Sequence, residues 1–295
     1  MSKLGFIGLG IMGKPMAKNL IKAGVKLVVS DLNEEAVNEV VKAGAEKGTY
    51  AEIGSQCDVI ITMVPNGAIV QSILFGDGGV ASTIKTGSIV CDMSSVTPVE
   101  SQECYKKLKV LGVSFVDAPV SGGEPGAVNA TLAIMCGGEP ADFERMKPFF
   151  DILGSSSILI GPSGSGSSAK LANQMIVNNT IAVVSEAFVF AAKAGADPEK
   201  VFQAIRGGLA GSAVLDAKIP MIINRNFKPG GPIRINHKDI KNCVATAHAI
   251  DVPIPYTAQL YEILQTLKIH GHMNDDHGGI VQYFEKLADV EVRKK

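Results

Sequence analysis

Tryptophan is absent from the sequence, and cysteine is sparse. The 295 residues include five cysteines, and no Cys-x-x-Cys motif occurs among them. An odd number of isolated cysteines within mostly apolar runs argues against a disulfide framework. We therefore expect buried thiols in a reducing compartment, which is most simply the cytoplasm.

An excess of either charge is also missing. Lys and Arg total 28 and Asp and Glu total 29, so the formal net charge is −1. Nucleic-acid grooves need clustered basic residues, and we expect no nucleic-acid partner. No uncharged apolar run reaches about 18 residues, since the richest segment, 181–192, contains Ser185 and Glu186. We therefore expect no membrane partner, and the first residues lack a signal-peptide pattern.

Short apolar runs alternate with helical patterns over the first half of the chain. Continuous Val/Ile-rich runs separated by helices indicate strands that are buried on both faces of a parallel sheet. Right-handed crossovers then give a doubly wound α/β domain of Rossmann type, which we place at residues 1–162. The predicted strands lie at 4–8, 26–30, 58–64, 88–92, 113–117, 131–136 and 157–160.

The pattern becomes helical after this domain. The small-residue stretch 163–168 predicts a linker that also starts a helix, and a long helix is predicted over 169–194. Shorter helices are predicted at 199–206, 213–224, 238–250, 256–270 and 276–289. We therefore expect an all-α domain at 163–295, joined to the first domain by the long helix. Because so apolar a helix is hard to cover with one small domain, we also expect a homodimer or homotetramer.

A glycine pattern typical of dinucleotide binding follows the first predicted strand. The first glycine permits a tight turn, the second lets the backbone approach a pyrophosphate, and the third lets the helix pack against the strand. The helix N-terminus then offers its N–H groups to the phosphates. The residues predicted to bind the dinucleotide here are Gly8, Leu9, Gly10, Ile11, Met12 and Gly13.

Asp31 ends the second predicted strand and favours NAD(H). A carboxylate at this place accepts the ribose hydroxyls and repels a 2′-phosphate, and no Arg follows within the next few residues. NADP(H) is therefore possible but disfavoured. Two turns at the carboxyl ends of later strands are candidates for contacts with the nicotinamide ribose. They contain Val64, Pro65 and Asn66 in one turn and Ser95 in the other.

The reaction chemistry is expected where the two domains meet. Ser121, Gly122 and Gly123 expose consecutive backbone N–H groups, which suit a substrate carboxylate. Lys170 lies near the start of the long helix, whereas the helix dipole favours cations near the end of a helix. This unfavourable placement makes Lys170 a candidate for proton transfer. Asn173 and Gln174 lie on the same helix face and are predicted to hold substrate oxygens.

Three motifs resemble those of the β-hydroxyacid dehydrogenase family. They are the glycine loop 8–13, the segment 117–123 and the Gly-x-Gly-x-x-x-Lys run that ends at Lys170. The resemblance spans nearly the whole chain and implies a Rossmann-type domain, a helical domain and a joining helix. It further implies that Lys170 is the catalytic acid, that Ser121, Gly122 and Gly123 bind substrate, and that Ser95 and Lys238 contact the cofactor.

The resemblance also implies a substrate class. Segments 206–212 and 226–230 are similar to those of family members that reduce tartronate semialdehyde to D-glycerate. A dehydrogenase acting on 3-hydroxyisobutyrate or 4-hydroxybutyrate stays open, as does a non-catalytic NAD-binding protein. Many family members carry Asn four residues after the lysine, whereas this chain has Gln174 there and Asn173 one position earlier.

A cluster of histidines near the carboxyl end is a poor candidate for a metal site. His270, His272 and His277 lie near two aspartates, but their spacing fits no helical i, i+4 pair. We interpret the segment as a polar surface loop or subunit contact and expect no metal.

Overall fold

The structure is a computed structural model that describes residues 3–294 of the chain. The chain forms two compact units that divide between Lys170 and Leu171. Residues 3–170 are called unit 1 below, and residues 171–294 are called unit 2.

Unit 1 is built around one sheet. Among the described residues its strands are β1 (Lys3–Ile7), β2 (Leu27–Ser30), β3 (Glu46–Lys47), β4 (Cys57–Thr62), β5 (Ile89–Asp92), β6 (Ser114–Asp117), β7 (Val120–Ser121), β8 (Leu132–Gly137) and β9 (Gly154–Gly161). The strand order begins β3-β2-β1-β4-β5-β6, and all neighbours in this part are parallel. This order is that of a doubly wound dinucleotide-binding fold, as the sequence predicts.

Helices cover both faces of the sheet. They are α1 (Gly13–Lys22), α2 (Glu34–Lys42), α3 (Tyr50–Gln56), α4 (Gly67–Phe75), α5 (Pro98–Val110), α6 (Gly123–Val128) and α7 (Pro140–Leu153). The apolar residues of the sheet enter two core clusters, one containing Phe6 with Leu20 of α1 and the other containing Ile60 with Leu74 of α4. Strands buried on both faces explain why their sequences are almost entirely apolar.

The last three strands depart from the parallel pattern. Strand β8 runs antiparallel to β6 and to β7, whereas β9 is parallel to β8. The two-residue strands β3 and β7 are too short to leave a recognisable apolar run, and the sequence did not predict them. The sheet is therefore mixed at one side and parallel over the six strands that support the glycine loop.

The long helix α8 (Ser165–Lys193) begins in unit 1 and continues into unit 2. It starts four residues before the predicted position, so the expectation of a linker is wrong for residues 165–168. The N–H groups at the start of the helix donate to the carboxylate of Asp117. Because Asp117 is distant in the sequence, the local residue pattern cannot reveal this helix start.

Unit 2 is helical, as predicted. After α8 its helices are α9 (Pro198–Ile205), α10 (Ala213–Ile223), α11 (Ile233–Ala249), α12 (Pro255–Ile269) and α13 (Val281–Ala288). Helix α11 begins five residues earlier than predicted. The helix predicted at 276–289 is instead a 3₁₀ turn, His277–Ile280, followed by α13. The apolar faces of these helices meet in two clusters, around Leu264 and around Ile219.

One helix among residues 3–294 is long and apolar enough to cross a membrane, judged by length and composition alone. This is α8, whose most apolar window has a mean hydropathy of 1.6 and is 33% buried within the structure. A single helix of this kind is weak support for a membrane span, because the core helix of a globular protein passes the same test.

Candidate active site

The glycine loop of unit 1 has the shape that a dinucleotide needs. A Cβ on Gly8 would collide with the carbonyl oxygen of Met63, and Gly8 has a left-handed φ of +102°. A Cβ on Gly13 would collide with the carbonyl oxygen of Gly8, so only glycine lets α1 pack this close to β1. A Cβ on Gly10 would instead point into open space. Each glycine thus meets the requirement that the motif predicts, and the space at Gly10 fits an approaching phosphate.

A cavity of about 560 Å³ opens beside this loop. Its lining includes Gly10 and Ile11 of the loop together with the polar residues Lys14 and Asn33. The loop precedes α1, so the positive end of the helix dipole lies beside it. The residues present therefore fit a nicotinamide dinucleotide, with the phosphates near the loop.

Asp31 lies directly after β2 and holds the loop in place. Its carboxylate oxygens accept the backbone N–H groups of Leu9, at 2.5 Å, and of Asn33, at 2.7 Å. Each carboxylate oxygen has a second lone pair, so ribose hydroxyls can still donate to it. Asp31 therefore joins the turns that follow β1 and β2.

The turns that contain the other predicted cofactor residues are organised by a buried carboxylate. Asp92, at the end of β5, accepts hydrogen bonds from Thr62 Oγ1 at 2.8 Å and from the Ser94 N–H at 3.0 Å. Ser94 Oγ in turn accepts the N–H of Val64 at 2.9 Å. Burial raises the pKa of Asp92, against the hydrogen bonds from Ser94 and Thr62. The sequence prediction missed Asp92 because it reads as the last residue of an apolar strand.

Pro65, Asn66 and Ser95 occupy these same turns. The side-chain oxygen of Asn66 accepts the Ile69 N–H at 2.9 Å and caps α4, which gives it a structural role in addition to any contact with a cofactor. Val64 and Ser95 lie after β4 and β5, at the sheet edge where ligands bind in doubly wound folds.

The predicted substrate segment forms a sharp turn between β7 and α6. Ser121 ends β7, and Gly122 and Gly123 follow with positive φ values of +138° and +61°. Two successive residues in this region turn the chain tightly and favour glycine at both positions. The turn is exposed at the two glycines, so its backbone is accessible to a ligand.

Lys170 is the last residue of unit 1 and the sixth residue of α8. It lies in the second turn, where the helix dipole acts less than the sequence argument assumes. Its side chain is nevertheless only 9% exposed, which is rare for lysine. Asn173 and Gln174 follow at three and four positions and therefore share one face of α8 with Lys170.

In unit 2, Asp239, which the sequence analysis did not predict as a site residue, links the predicted residues Gln174 and Lys238. Asp239 is buried and accepts Gln174 Nε2 at 2.5 Å, and its other oxygen lies 2.9 Å from Lys238 Nζ. Asn173 Nδ2 donates to Gln174 Oε1 at 2.9 Å. The amide of Gln174 is therefore fixed in orientation. The adjacent Lys238 and Asp239 were the only hint of this contact in the sequence, but a neighbouring Lys and Asp usually indicate a solvated helix surface.

The histidines are held by hydrogen bonds within unit 2. His272 Nδ1 lies 2.9 Å from Asp275, and His277 Nδ1 lies 3.1 Å from Asn236 Nδ2. Burial, with the Lys218 ammonium nearby, lowers the pKa of His277 to about 4. Within residues 3–294, no group of three His, Cys, Asp or Glu side chains has an arrangement that could hold a metal ion.

Two family descriptions match consecutive parts of the chain. Residues 3–161 match the NAD binding domain of 6-phosphogluconate dehydrogenase. Residues 164–284 match the NAD-binding domain of NADP-dependent 3-hydroxyisobutyrate dehydrogenase. Together they cover both units.

Individual relatives match over nearly their full length. The chain is 42% identical to 2-hydroxy-3-oxopropionate reductase of Escherichia coli (strain K12) over 288 residues, which are 97% of this chain and 98% of that protein. It is 35% identical to 2-(hydroxymethyl)glutarate dehydrogenase of Eubacterium barkeri, over 98% and 97% of the two chains. A crystal structure of 3-hydroxyisobutyrate dehydrogenase from Salmonella typhimurium superposes with a TM-score of 0.87 at 27% identity, covering 96% of this chain and 100% of that one.

The sequence expectation of the family and of the fold class is thereby confirmed. Both family descriptions name NAD binding, and the Salmonella typhimurium structure shares the fold over 96% of this chain. The chain therefore belongs to the β-hydroxyacid dehydrogenase family, is of the tartronate semialdehyde reductase type, and is an oxidoreductase that acts on a CH–OH group with NAD(P).

Proposed function

We propose that the enzyme reduces tartronate semialdehyde (2-hydroxy-3-oxopropanoate) to D-glycerate with NADH, and that Lys170 is the general acid. The observation that carries the assignment of the acid is the burial of Lys170, which is 9% exposed, on the α8 face that also bears Asn173 and Gln174. The choice of substrate is supported by the 42% identity to the E. coli reductase.

The chemistry requires one hydride and one proton. When bound, the reduced nicotinamide supplies the hydride to the aldehyde carbon. The Lys170 ammonium gives a proton to the carbonyl oxygen as its π bond breaks, so that an alcohol forms and the amine is left neutral. In the reverse direction the neutral amine removes the proton from the hydroxyl group. A positioned acid of this kind contributes about 10²–10⁴-fold to the rate.

Other residues of the chain hold the reactants. Backbone N–H groups at Ser121, Gly122 and Gly123 suit the substrate carboxylate. The amides of Asn173 and Gln174 suit its hydroxyl and carbonyl oxygens, and the fixed orientation of Gln174 favours one pose.

NAD(H) is the proposed cofactor. The residues proposed to hold it are Gly8, Leu9, Gly10, Ile11, Met12, Gly13, Asp31, Val64, Pro65, Asn66, Ser95 and Lys238. Asp31 favours NAD(H) over NADP(H) because its carboxylate would face a 2′-phosphate, and the two following acids, Glu34 and Glu35, add to the negative field.

The first test replaces the proposed acid. Lys170→Ala should lower kcat with tartronate semialdehyde by about 10²–10⁴-fold, because the proton donor is lost. The dissociation constant for NADH, followed by fluorescence, should change less than about threefold, since binding by the glycine loop is retained. Lys193→Ala removes an exposed lysine from the other end of α8 and serves as the matched control.

A substrate screen then decides between related activities. Tartronate semialdehyde should give a higher kcat/KM than the semialdehydes that correspond to 3-hydroxyisobutyrate and 4-hydroxybutyrate. Wild-type turnover in Lys170→Ala would refute the assignment of the acid. Tight NADH binding without oxidation by any of these aldehydes would favour a non-catalytic NAD-binding protein.

We also propose that copies of the chain associate as a dimer or tetramer. Ile176, Val183 and Phe190 are exposed apolar residues at seven-residue spacing, so they share one face of α8 within unit 2. Light scattering should give the mass of a dimer or tetramer, and Phe190→Ser should weaken the association. A monomeric wild-type protein at micromolar concentration would contradict this proposal.

The proposed location is the cytoplasm. All five cysteines are buried, and burial raises the pKa of Cys104 and Cys136 to about 12. Such thiols are unreactive and suit a reducing compartment. Titration of the denatured protein directly after cell lysis should detect five thiols.

A further inference from the structure

The carboxylate of Asp117 holds the first turn of α8. Its Oδ1 accepts the N–H of Gly164 at 2.7 Å, and its Oδ2 accepts the N–H of Ser167 at 2.9 Å. Asp117 and Ser167 are both fully buried in unit 1. N–H groups at a helix start need outside acceptors, which are usually supplied by the residue just before the helix. Here the acceptor is Asp117 at the end of β6, which lies 47 positions before Gly164 in the sequence.

The same turn is fixed from two further directions. Ser167 Oγ lies 2.9 Å from Ser101 Oγ of α5, and both hydroxyls are buried. A Cβ on Gly166 would collide with the carbonyl oxygen of Met135 and would lie 2.6 Å from that of Asp117. The turn is therefore packed against the sheet so closely that a side chain at Gly166 would displace it. These contacts explain the second glycine of the Gly-x-Gly-x-x-x-Lys run, Gly166, without any contact to a ligand.

The charge of Asp117 has no cationic counterpart in this part of the fold. None of the ion pairs in unit 1 includes Asp117, and burial, with the Asp92 carboxylate nearby, raises the pKa of Asp117. Burying a carboxylate in this way is unfavourable, and a serine would cap a helix with less desolvation. A carboxylate differs from a hydroxyl in presenting two acceptors at a fixed separation, which orients the turn as well as capping it.

We propose that Asp117 is a positioning residue for Lys170, because it fixes the rotation and height of the first turn of α8 and Lys170 follows in the next turn. Lys170 follows Ser167 by three residues, so a shift of this turn moves the Lys170 backbone with it. A displacement of about 1 Å at a reacting group lowers rates by up to about 10²-fold. The inference rests on the proposed function, because it assumes that Lys170 is the proton donor.

The test is a double-mutant cycle with Asp117→Asn and Lys170→Ala. Asp117→Asn keeps the size of the side chain but turns one acceptor into a donor that faces an N–H group. We expect kcat to fall about 10-fold to 100-fold, with the NADH dissociation constant within about twofold of wild type. In the Lys170→Ala background the same substitution should change the residual kcat by less than about twofold, because the group it positions is gone.

Two control variants separate positioning from stability. Thr49→Ala removes a helix cap elsewhere in unit 1, at α3, and should leave kcat unchanged while lowering the melting temperature. Ser101→Ala removes only the hydroxyl contact to Ser167 and should lower kcat about twofold to fivefold, again only when Lys170 is present. Ser101→Ala keeps the inference testable if Asp117→Asn does not fold.

The outcomes distinguish the two proposals. If Lys170→Ala keeps wild-type turnover, the proposed function fails and the positioning role fails with it. If Lys170→Ala loses turnover but Asp117→Asn lowers kcat by the same factor in both backgrounds, the proposed function stands and the positioning role is overturned. Wild-type kcat in a folded Asp117→Asn variant also overturns the positioning role. If Asp117→Asn does not fold, wild-type kcat in Ser101→Ala overturns it instead.

Discussion

Buried and half-buried carboxylates occur in both units, but they have different partners. In unit 1 the partners are backbone N–H groups, and in unit 2 they are cationic side chains. In unit 1, Asp31, Asp92 and Asp117 lie at the carboxyl ends of β2, β5 and β6, and each accepts backbone N–H groups. None of these three carboxylates takes part in an ion pair within residues 3–170. Backbone N–H groups therefore hold all three carboxylates at the sheet edge where doubly wound folds bind ligands.

In unit 2 the buried carboxylates are paired with cations. Asp276 lies 2.8 Å from Lys218 Nζ, Glu285 lies 2.5 Å from Arg225, and Asp239 lies 2.9 Å from Lys238. Burial alone would raise the pKa of Asp276, but the Lys218 ammonium and the Gly278 N–H bring it below its ordinary value.

The two arrangements have different consequences. A carboxylate held by N–H groups orients the loops that supply those groups, and it can be replaced without leaving an opposite charge behind. A carboxylate paired with a cation from another element, as in the Asp276–Lys218 and Glu285–Arg225 pairs, joins the two elements, and removing the cation leaves the carboxylate charged in a buried place. We infer that the three carboxylates of unit 1 orient its loops, whereas Asp276 and Glu285 hold elements of unit 2 together.

The largest expected effect on stability comes from breaking an ion pair in unit 2. Lys218→Met should lower the free energy of unfolding by about 3–5 kcal/mol, because it leaves Asp276 charged and buried. Urea denaturation followed by circular dichroism measures this loss. Lys47→Met, which breaks the exposed pair with Glu34, should lower it by about 0–1 kcal/mol and is the control.

Asp117→Asn sharpens the same comparison, because it removes a charge without exposing a counter-charge. Its effect on the free energy of unfolding should be smaller than that of Lys218→Met, although we expect it to lower kcat about 10-fold to 100-fold. Equal destabilisation by both variants would contradict the distinction between the two units.

Acidification should act on the two units in opposite directions. The pKa of His277 is lowered from 6.5 to about 4, so its contribution to stability is present above pH 6.5 and is lost as the pH falls toward 4. Burial raises the pKa of Asp117 from 3.8 to about 6, so its contribution is full below pH 3.8 and is lost as the pH rises through 6. Between pH 7 and pH 5, His277 should remove about 2 kcal/mol and Asp117 should add about 1 kcal/mol.

Hydrogen exchange measured by mass spectrometry resolves the two units at both pH values. After correction for intrinsic rates, peptides near His277 should lose protection at pH 5 relative to those of β6. His277→Gln should abolish the loss in unit 2 and leave unit 1 unchanged. A loss of equal size in that variant would show that other groups titrate.

The apolar strands of unit 1 could be predicted because a strand buried on both faces leaves a continuous run of Val and Ile. The glycine loop could be predicted because each glycine answers a local requirement, and the structure meets it at Gly8, Gly10 and Gly13. These features depend on residues close together in the sequence, where spacing carries the information.

The connecting carboxylates could not be predicted because their partners are distant in the sequence. Gln174 and Asp239 are 65 positions apart, and Asp117 caps a turn 47 and 50 positions away. The first turn of α8 therefore resembled a linker, since Ser and Gly predominate and its acceptors lie on another element. Spacing within one segment cannot reveal a cap that tertiary structure supplies.

The last expected effect concerns the choice of cofactor at the edge of unit 1. Asp31→Asn removes the charge that would repel a 2′-phosphate, so the ratio of the NADPH to the NADH dissociation constants should fall about 10-fold to 100-fold. An amide oxygen remains to accept the Leu9 N–H or the Asn33 N–H, and the loop should keep most of its order. Titration calorimetry with both cofactors measures the ratio. Glu35→Gln removes an exposed charge four positions along the chain, and it should change the ratio by less than about threefold because solvent screens it. Should the wild-type enzyme bind NADPH as tightly as NADH, the carboxylate of Asp31 would act on the loop alone, through its bonds to Leu9 and Asn33.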